Sequence, residues 1–192
     1  MDRRLFLVLP MLLLAACEKP GPQFRNTELN KPRFGKRLEL LDHEGRQRSL
    51  ADFSGKVVVL FFGYTSCPDI CPSMLARLAG VMNVLGKDAE RVQVLFVTLD
   101  PERDSIDRLR EFVPWFYPSF LGLRGSPQET RRVAEEFRVV SIRKEVGSEL
   151  GYVLDHSAGA YLLDPAGQLR LYASDKASIE DIAADIRLLL AG

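Results

Sequence analysis

The chain has 192 residues, enough for one domain with a sizeable core. Its 26 Lys and Arg residues balance 26 Asp and Glu, which excludes a nucleic-acid surface or an acidic polymer as the partner. Three cysteines and two histidines are few enough that each needs its own account.

Arg3 and Arg4 open the chain, residues 5–14 are apolar, and Leu14-Ala15-Ala16-Cys17 follows. The apolar run is too short to span a membrane and fits a secretory signal. A cysteine directly after small residues resembles the bacterial lipobox, in which that Cys becomes the lipidated first residue of the mature protein. Residues 1–16 therefore read as a lipoprotein signal peptide and Cys17 as the lipidation site, in preference to an ordinary signal with a chance cysteine. A lipid chain contributes about 0.8 kcal/mol per buried CH₂, so several chains hold a protein firmly at a membrane. The expected location is the periplasmic side of the bacterial cell envelope, where disulfides form and two further cysteines remain. Residues 17–33, with Pro20, Pro22 and Pro32, read as a flexible tether, and residues 34–192 as the domain.

Residues 37–41 and 47–50 flank Asp42-His43-Glu44-Gly45 and predict a hairpin, with His43 a turn residue. Residues 56–62 form a continuous apolar, β-branched and aromatic run, the pattern of a strand buried on both faces. Cys71-Pro72 then predicts a helix start, since proline at the first position gives up no hydrogen bond. That helix turns Met74, Leu75, Leu78, Met82 and Leu85 inward and ends at Gly86. Residues 91–99 read as a second buried strand. Asp104 or Ser105 caps a helix that Pro114 should stop. Residues 120–123 predict a short strand, and Ser126-Pro127-Gln128-Glu129 is a capping box with proline at the first helical position. Residues 139–142 and 152–154 read as the arms of a hairpin, 160–163 and 168–172 as two strands about a turn, and Ser178 as the cap of a last helix.

Strand–helix alternation followed by a hairpin and a closing helix predicts an α/β fold, a central mixed sheet with helices on both faces. A cysteine pair between a buried strand and the next helix is the thioredoxin-like arrangement, here with an inserted hairpin before the His156 loop. The dithiol machinery departs from thioredoxin. Three residues rather than two separate Cys67 from Cys71, and Ala158 stands where a cis-proline is expected, behind Asp155-His156-Ser157. Orphan N–H groups and the helix dipole favour thiolates at a helix start. Two thiolates there make either a redox-active disulfide, Cys67–Cys71, or two ligands of a soft metal ion. With His156 they offer two sulfurs and one nitrogen, a set that suits Cu(I); zinc normally takes a fourth ligand. Asp155 is a candidate to fix the imidazole, and Asp69 to steer the loop or a partner. A purely structural disulfide is the bland alternative. Asp100-Pro101-Glu102-Arg103-Asp104 reads mainly as helix-start chemistry and secondarily as lining of the site, and Trp115, Phe116, Tyr117 and Phe120 mainly as core or domain surface, with an exposed docking patch as the alternative.

The segment Gly63-Tyr64-Thr65-Ser66-Cys67-Pro68-Asp69-Ile70-Cys71-Pro72, then Leu99 to Asp104, Asp155-His156-Ser157-Ala158 and Tyr161-Leu162-Leu163-Asp164-Pro165 resemble the Sco/SenC proteins over residues 34–190. The resemblance implies copper, Cu(I) or Cu(II), held by Cys67, Cys71 and His156. It implies a role in maturing the CuA centre of cytochrome c oxidase subunit II, by delivering copper as a metallochaperone or by reducing that subunit's cysteines as a thiol–disulfide oxidoreductase. The partners it implies are that subunit and other periplasmic copper chaperones or thiol reductases, with a lipid anchor in place of the transmembrane helix many members carry. A copper-linked redox sensor or peroxide-defence protein is the third possibility.

Overall fold

The computed structural model describes residues 23–30, 32–147 and 151–192; the expected signal peptide at 1–16 and the expected lipidation site Cys17 lie outside them. Fourteen elements follow in chain order: β1 (Thr27–Glu28), β2 (Glu39–Asp42), β3 (Gln47–Ser49), β4 (Val57–Gly63), α1 (Ile70–Leu85), β5 (Val92–Thr98), α2 (Ile106–Phe116), β6 (Leu121–Arg124), α3 (Pro127–Glu136), β7 (Ser141–Glu145), β8 (Tyr152–His156), β9 (Ala160–Leu163), β10 (Leu169–Ala173) and α4 (Ile179–Ala191).

The sheet is built outward from β4, whose seven residues are all buried. It pairs in parallel with β5, from Val57 opposite Val92 to Gly63 opposite Thr98, and antiparallel with β9. The full order is β1-β10-β9-β4-β5-β6-β2-β3, a mixed eight-stranded sheet. Strand alternation splits β4 between two cores. Val57, Val59 and Phe61 pack with α1, α2 and α4; Val58, Leu60 and Phe62 pack with α3 and the β2 region. This is a thioredoxin-like fold with helices on both faces, and β7 and β8 form a separate two-stranded hairpin inserted ahead of β9.

Local chemistry explains most element ends. Ser105, Ser126 and Ser178 each accept the backbone N–H three residues on, and Ser126 with Glu129 completes the capping box. Gly86 ends α1 at φ 59°, a conformation glycine adopts without strain. His43 is 5% exposed and its Nδ1 accepts the Gly122 N–H at 3.0 Å, so it is a satisfied structural group.

Three expectations change. Helix α1 begins at Ile70, so Cys71 is its second residue and Pro72 its third; N–H groups of the first turn lack helical partners anyway, so proline is tolerated there. Helix α2 runs through Pro114 to Phe116, because so near its end the ring forfeits little of the ladder. The tether read to residue 33 is partly folded. Thr27 and Glu28 pair with Tyr172 and Leu171, while the N–H groups of Arg25 and Asn26 donate to buried Asp185 at 2.7 and 2.8 Å. In the aromatic cluster Phe120 is core, but Trp115 is 80% exposed. No helix among the described residues is long and apolar enough to cross a membrane.

Candidate metal centre

Strand β4 ends at Gly63 directly beneath the cysteines. A Cβ there would lie 2.8 Å from the Cys71 sulfur and 2.9 Å from the Phe96 ring, so glycine is what lets α1 start this close to the sheet. The loop from Tyr64 to Asp69 is tied down by a buried carboxylate. Asp104, wholly buried, accepts the Thr65 N–H at 3.0 Å, the Thr65 hydroxyl at 2.6 Å and the Thr98 hydroxyl at 2.5 Å. Burial pushes the Asp104 carboxyl above its ordinary range even against these donors.

Cys71 is fully buried and Cys67 half-buried, and both thiols are free. The Cys71 N–H donates to the Cys67 sulfur at 3.4 Å. The Cys71 thiol holds Cys67 far below the ordinary thiol range; the His156 ring and the N–H groups of Asp69 and Cys71 act the same way, against burial. The same pairing, with burial, pushes Cys71 up. The pair therefore keeps its proton on the inner sulfur and presents a thiolate outward.

His156 reaches this pair from 85 residues further along the chain. Its Nε2 lies 3.5 Å from the Cys71 sulfur. Its Nδ1 lies 3.0 Å from the Ser157 carbonyl oxygen, which only accepts, so Nδ1 donates there and the ring is held with Nε2 toward the sulfurs. The ring is walled by Tyr64 edge-on at 5.9 Å and Phe61 at 6.5 Å. The two sulfurs and a ring nitrogen all lie within 4.8 Å of one another, a donor set chemically suited to a soft ion.

The structure places His156 as the last residue of β8 rather than in a loop after it. Asp155 consequently points the other way, as neighbours on a strand do, and pairs with Lys144 at 2.7 Å on the outer face. The Ser157 carbonyl, not Asp155, holds the imidazole. Asp69 is exposed; its backbone N–H, rather than its carboxylate, faces the Cys67 sulfur. Ala158 lies among described residues that contain no cis peptide bond.

Sequence reading gave no specific role at the site to four residues that build the surroundings. Asp104 anchors the loop. Tyr64 walls the imidazole, and its hydroxyl accepts the Leu154 N–H at 3.2 Å. Arg103 donates to Asp100 and to the Tyr152 carbonyl. Tyr152 donates its hydroxyl to Asp100 at 2.8 Å. Three of the four lie inside segments already singled out, where polar residues after a strand hinted at more than a helix cap.

The SCO1/SenC family model matches residues 26–191. The mitochondrial Protein SCO2 homolog of Danio rerio is 39% identical over 173 residues, covering 88% of this chain and 62% of that protein; the chain thus spans less than two thirds of that relative's length. Among solved structures, Bradyrhizobium japonicum ScoI with copper bound superposes at a TM-score of 0.74 with 34% identity, covering 80% of this chain and 98% of that one. A SCO1/SenC family lipoprotein from Bacillus anthracis superposes at 0.71 with 25% identity, covering 87% and 99%.

Proposed function

The chain belongs to the SCO1/SenC family, and from that premise we propose that it is an extracytoplasmic copper metallochaperone that assists maturation of the CuA centre of cytochrome c oxidase subunit II. The observation that carries this reading is the convergence of two thiols and one imidazole within 4.8 Å. Copper is the cargo. Cys67, Cys71 and His156 would hold it, two soft sulfurs and one nitrogen matching three-coordinate Cu(I). Copper bound by the similar Bradyrhizobium protein supports the choice of ion.

Delivery is ligand exchange without net electron transfer. An incoming thiolate on the acceptor displaces one donor at a time, and Cys67, the half-buried sulfur, is the side from which it approaches. An oxidised Cys67–Cys71 pair has no thiolate to offer, so loading requires the reduced state. Residues 1–16 act as the signal and Cys17 as the lipid-bearing residue, leaving the domain on the periplasmic face of a membrane. The lipoprotein nature of the Bacillus anthracis relative supports that anchoring.

One observation favours a second reading, thiol–disulfide exchange with oxidase subunit II or another periplasmic protein. Cys67 is half-buried with a lowered pKa and Cys71 is fully buried, the layout of an attacking and a resolving thiol. Cys67 thiolate would attack the substrate disulfide and expel one thiolate. Cys71 would then displace the second, leaving a Cys67–Cys71 disulfide and a reduced substrate. His156 separates the two readings. The test is metal analysis and absorption spectroscopy of the reduced wild-type and His156→Ala proteins, beside oxidase assembly in cells carrying each. The chaperone reading expects His156→Ala to lose copper and fail in assembly while dithiol exchange continues. Normal assembly with His156→Ala overturns it.

A further inference from the structure

The hairpin that carries His156 is held by unusual means. No described residue of β7 or β8 is buried: all five of β7 are exposed, and β8 is partly exposed throughout. Apolar burial fixes the strand on which the imidazole rides only through Leu154, partly buried against the core cluster of Phe61, Tyr64 and α1. What fixes it lies on the inner face of β8, where Tyr152, Leu154 and His156 follow one another at the two-residue period of a strand.

Tyr152 is the most heavily tied of the three. Its hydroxyl donates to Asp100 at 2.8 Å, and its carbonyl accepts from Arg103 Nη1 at 3.0 Å. Its ring lies between two guanidinium groups, Arg103 and Arg143, each 3.6 Å from the ring centroid. Arg103 also stands 5.6 Å from the Tyr64 ring, and Tyr64 holds the Leu154 N–H and walls His156. The root of this assembly is the end of β5, where the Asp100 N–H donates to the Thr98 hydroxyl. A closed ring of contacts thus runs from Tyr152 through Arg103 and Tyr64 to the imidazole and back along the strand.

We propose that Tyr152 is a positioning residue for His156: clamped between Arg103 and Arg143 and bonded to Asp100, it sets the angle at which β8 presents Nε2 to the two cysteines. The rise of about 3.3 Å per residue makes Tyr152 the far end of a lever about 13 Å long, so a small tilt there moves the ring out of bonding reach. Cation–π contact and a buried-edge hydrogen bond add, at the far end of the strand, to the restraint that Leu154 supplies by packing on the core. The clamp rests on the copper-binding reading only for its consequence in metal affinity; its geometry stands without metal.

The test therefore has a metal-free arm and a metal arm. In the reduced, metal-free protein, Tyr152→Ala is expected to abolish the nuclear Overhauser contact between the His156 and Tyr64 rings. It should also speed exchange of the Leu154 amide at least about tenfold, with the amides of β4 unchanged. In Cu(I) competition against a chromophoric chelator, Tyr152→Ala should weaken binding about 10- to 100-fold, as loss of a ligand-orienting partner does. Adding Tyr152→Ala to His156→Ala should cost nothing further, because both act through one ring. Tyr152→Phe, which keeps the stacked ring, should recover most of each effect, and decides the matter if the alanine variant fails to fold. A retained ring contact, or a loss additive with that of His156→Ala, overturns the clamp. A wild-type protein that binds no copper overturns the chaperone reading instead and leaves the metal-free arm to judge Tyr152.

Discussion

The two halves of the candidate centre rest on different physics. Cys67 and Cys71 sit between β4 and α1, where every residue of the strand is buried and Gly63 admits the sulfur at close range. His156 sits on a hairpin with no buried residue among the described ones of its two strands, held by a tyrosine hydroxyl, a stacked ring and a carboxylate. Packing in the first region is dense and cooperative, so its geometry changes only at the cost of the fold. Contacts in the second are fewer, one apolar side chain, Leu154, beside polar and ring contacts, so they are expected to open at a fraction of that cost. Two of the three donors are thus set in or against the core and the third rides on a less buried strand, which suits the proposed role of holding an ion and passing it on.

Breaking the core side should have the largest effect. Phe61 is fully buried and stacks 6.0 Å from Phe96 while walling His156. Phe61→Ala is expected to cost about 3–5 kcal/mol, read by urea unfolding. Gly63→Ala should cost about 1–3 kcal/mol by the same measurement, since neither the Phe96 ring nor Cys71 has room to withdraw. It should also shift Cys71, so loss of copper binding is expected in the fraction that folds.

The unequal exposure of the thiols predicts a kinetic contrast. With reduced protein near neutral pH, iodoacetamide should modify Cys67 at least about tenfold faster than Cys71, seen by peptide mass analysis. Equal rates would mean that the α1 start opens readily enough to expose Cys71, and the rigidity assigned to the core side would fail.

A smaller effect is expected from His43, which belongs to the rigid region. Burial lowers its pKa below 6.5, so the unfolded chain takes up a proton more readily than the folded one. Stability should accordingly be constant above about pH 6.5 and decline as pH falls below it. His43→Gln, which keeps a hydrogen-bond acceptor for the Gly122 N–H, should flatten that part of the profile. At the far end of the scale, Ile142→Ser on the exposed hairpin should change global stability by no more than about 0.5 kcal/mol, since Ile142 is 53% exposed. A loss of several kcal/mol there would show that the hairpin folds as part of the core.

How much of this was readable beforehand varied with the range of the forces involved. The capping serines, the buried runs of β4 and β5 and the hairpin at β2 and β3 follow from local rules, and they appear where those rules put them. Pro114 was over-read, because a helix breaker matters less in a last turn. Residues 25–29 were under-read, since a polar, proline-flanked stretch gives no hint that Asp185 waits on a helix 160 positions away from Arg25. Asp155 was given the wrong neighbour because β8 was taken to end before it; with the strand carried to His156, alternation alone turns the carboxylate outward.

Residue order by itself determined the cysteine pair at a helix start, the histidine that can meet it, the layered α/β class and the family resemblance, because each is written in short-range pattern and residue type. Tertiary structure alone decided that Nε2 faces the sulfurs, that the Ser157 carbonyl orients the ring, and that Tyr64, Asp100, Arg103 and Tyr152 hold the strand beneath it. Those contacts join segments brought together by sheet order, and a hydrogen bond or a stacked guanidinium depends on ångström distances that no periodicity encodes.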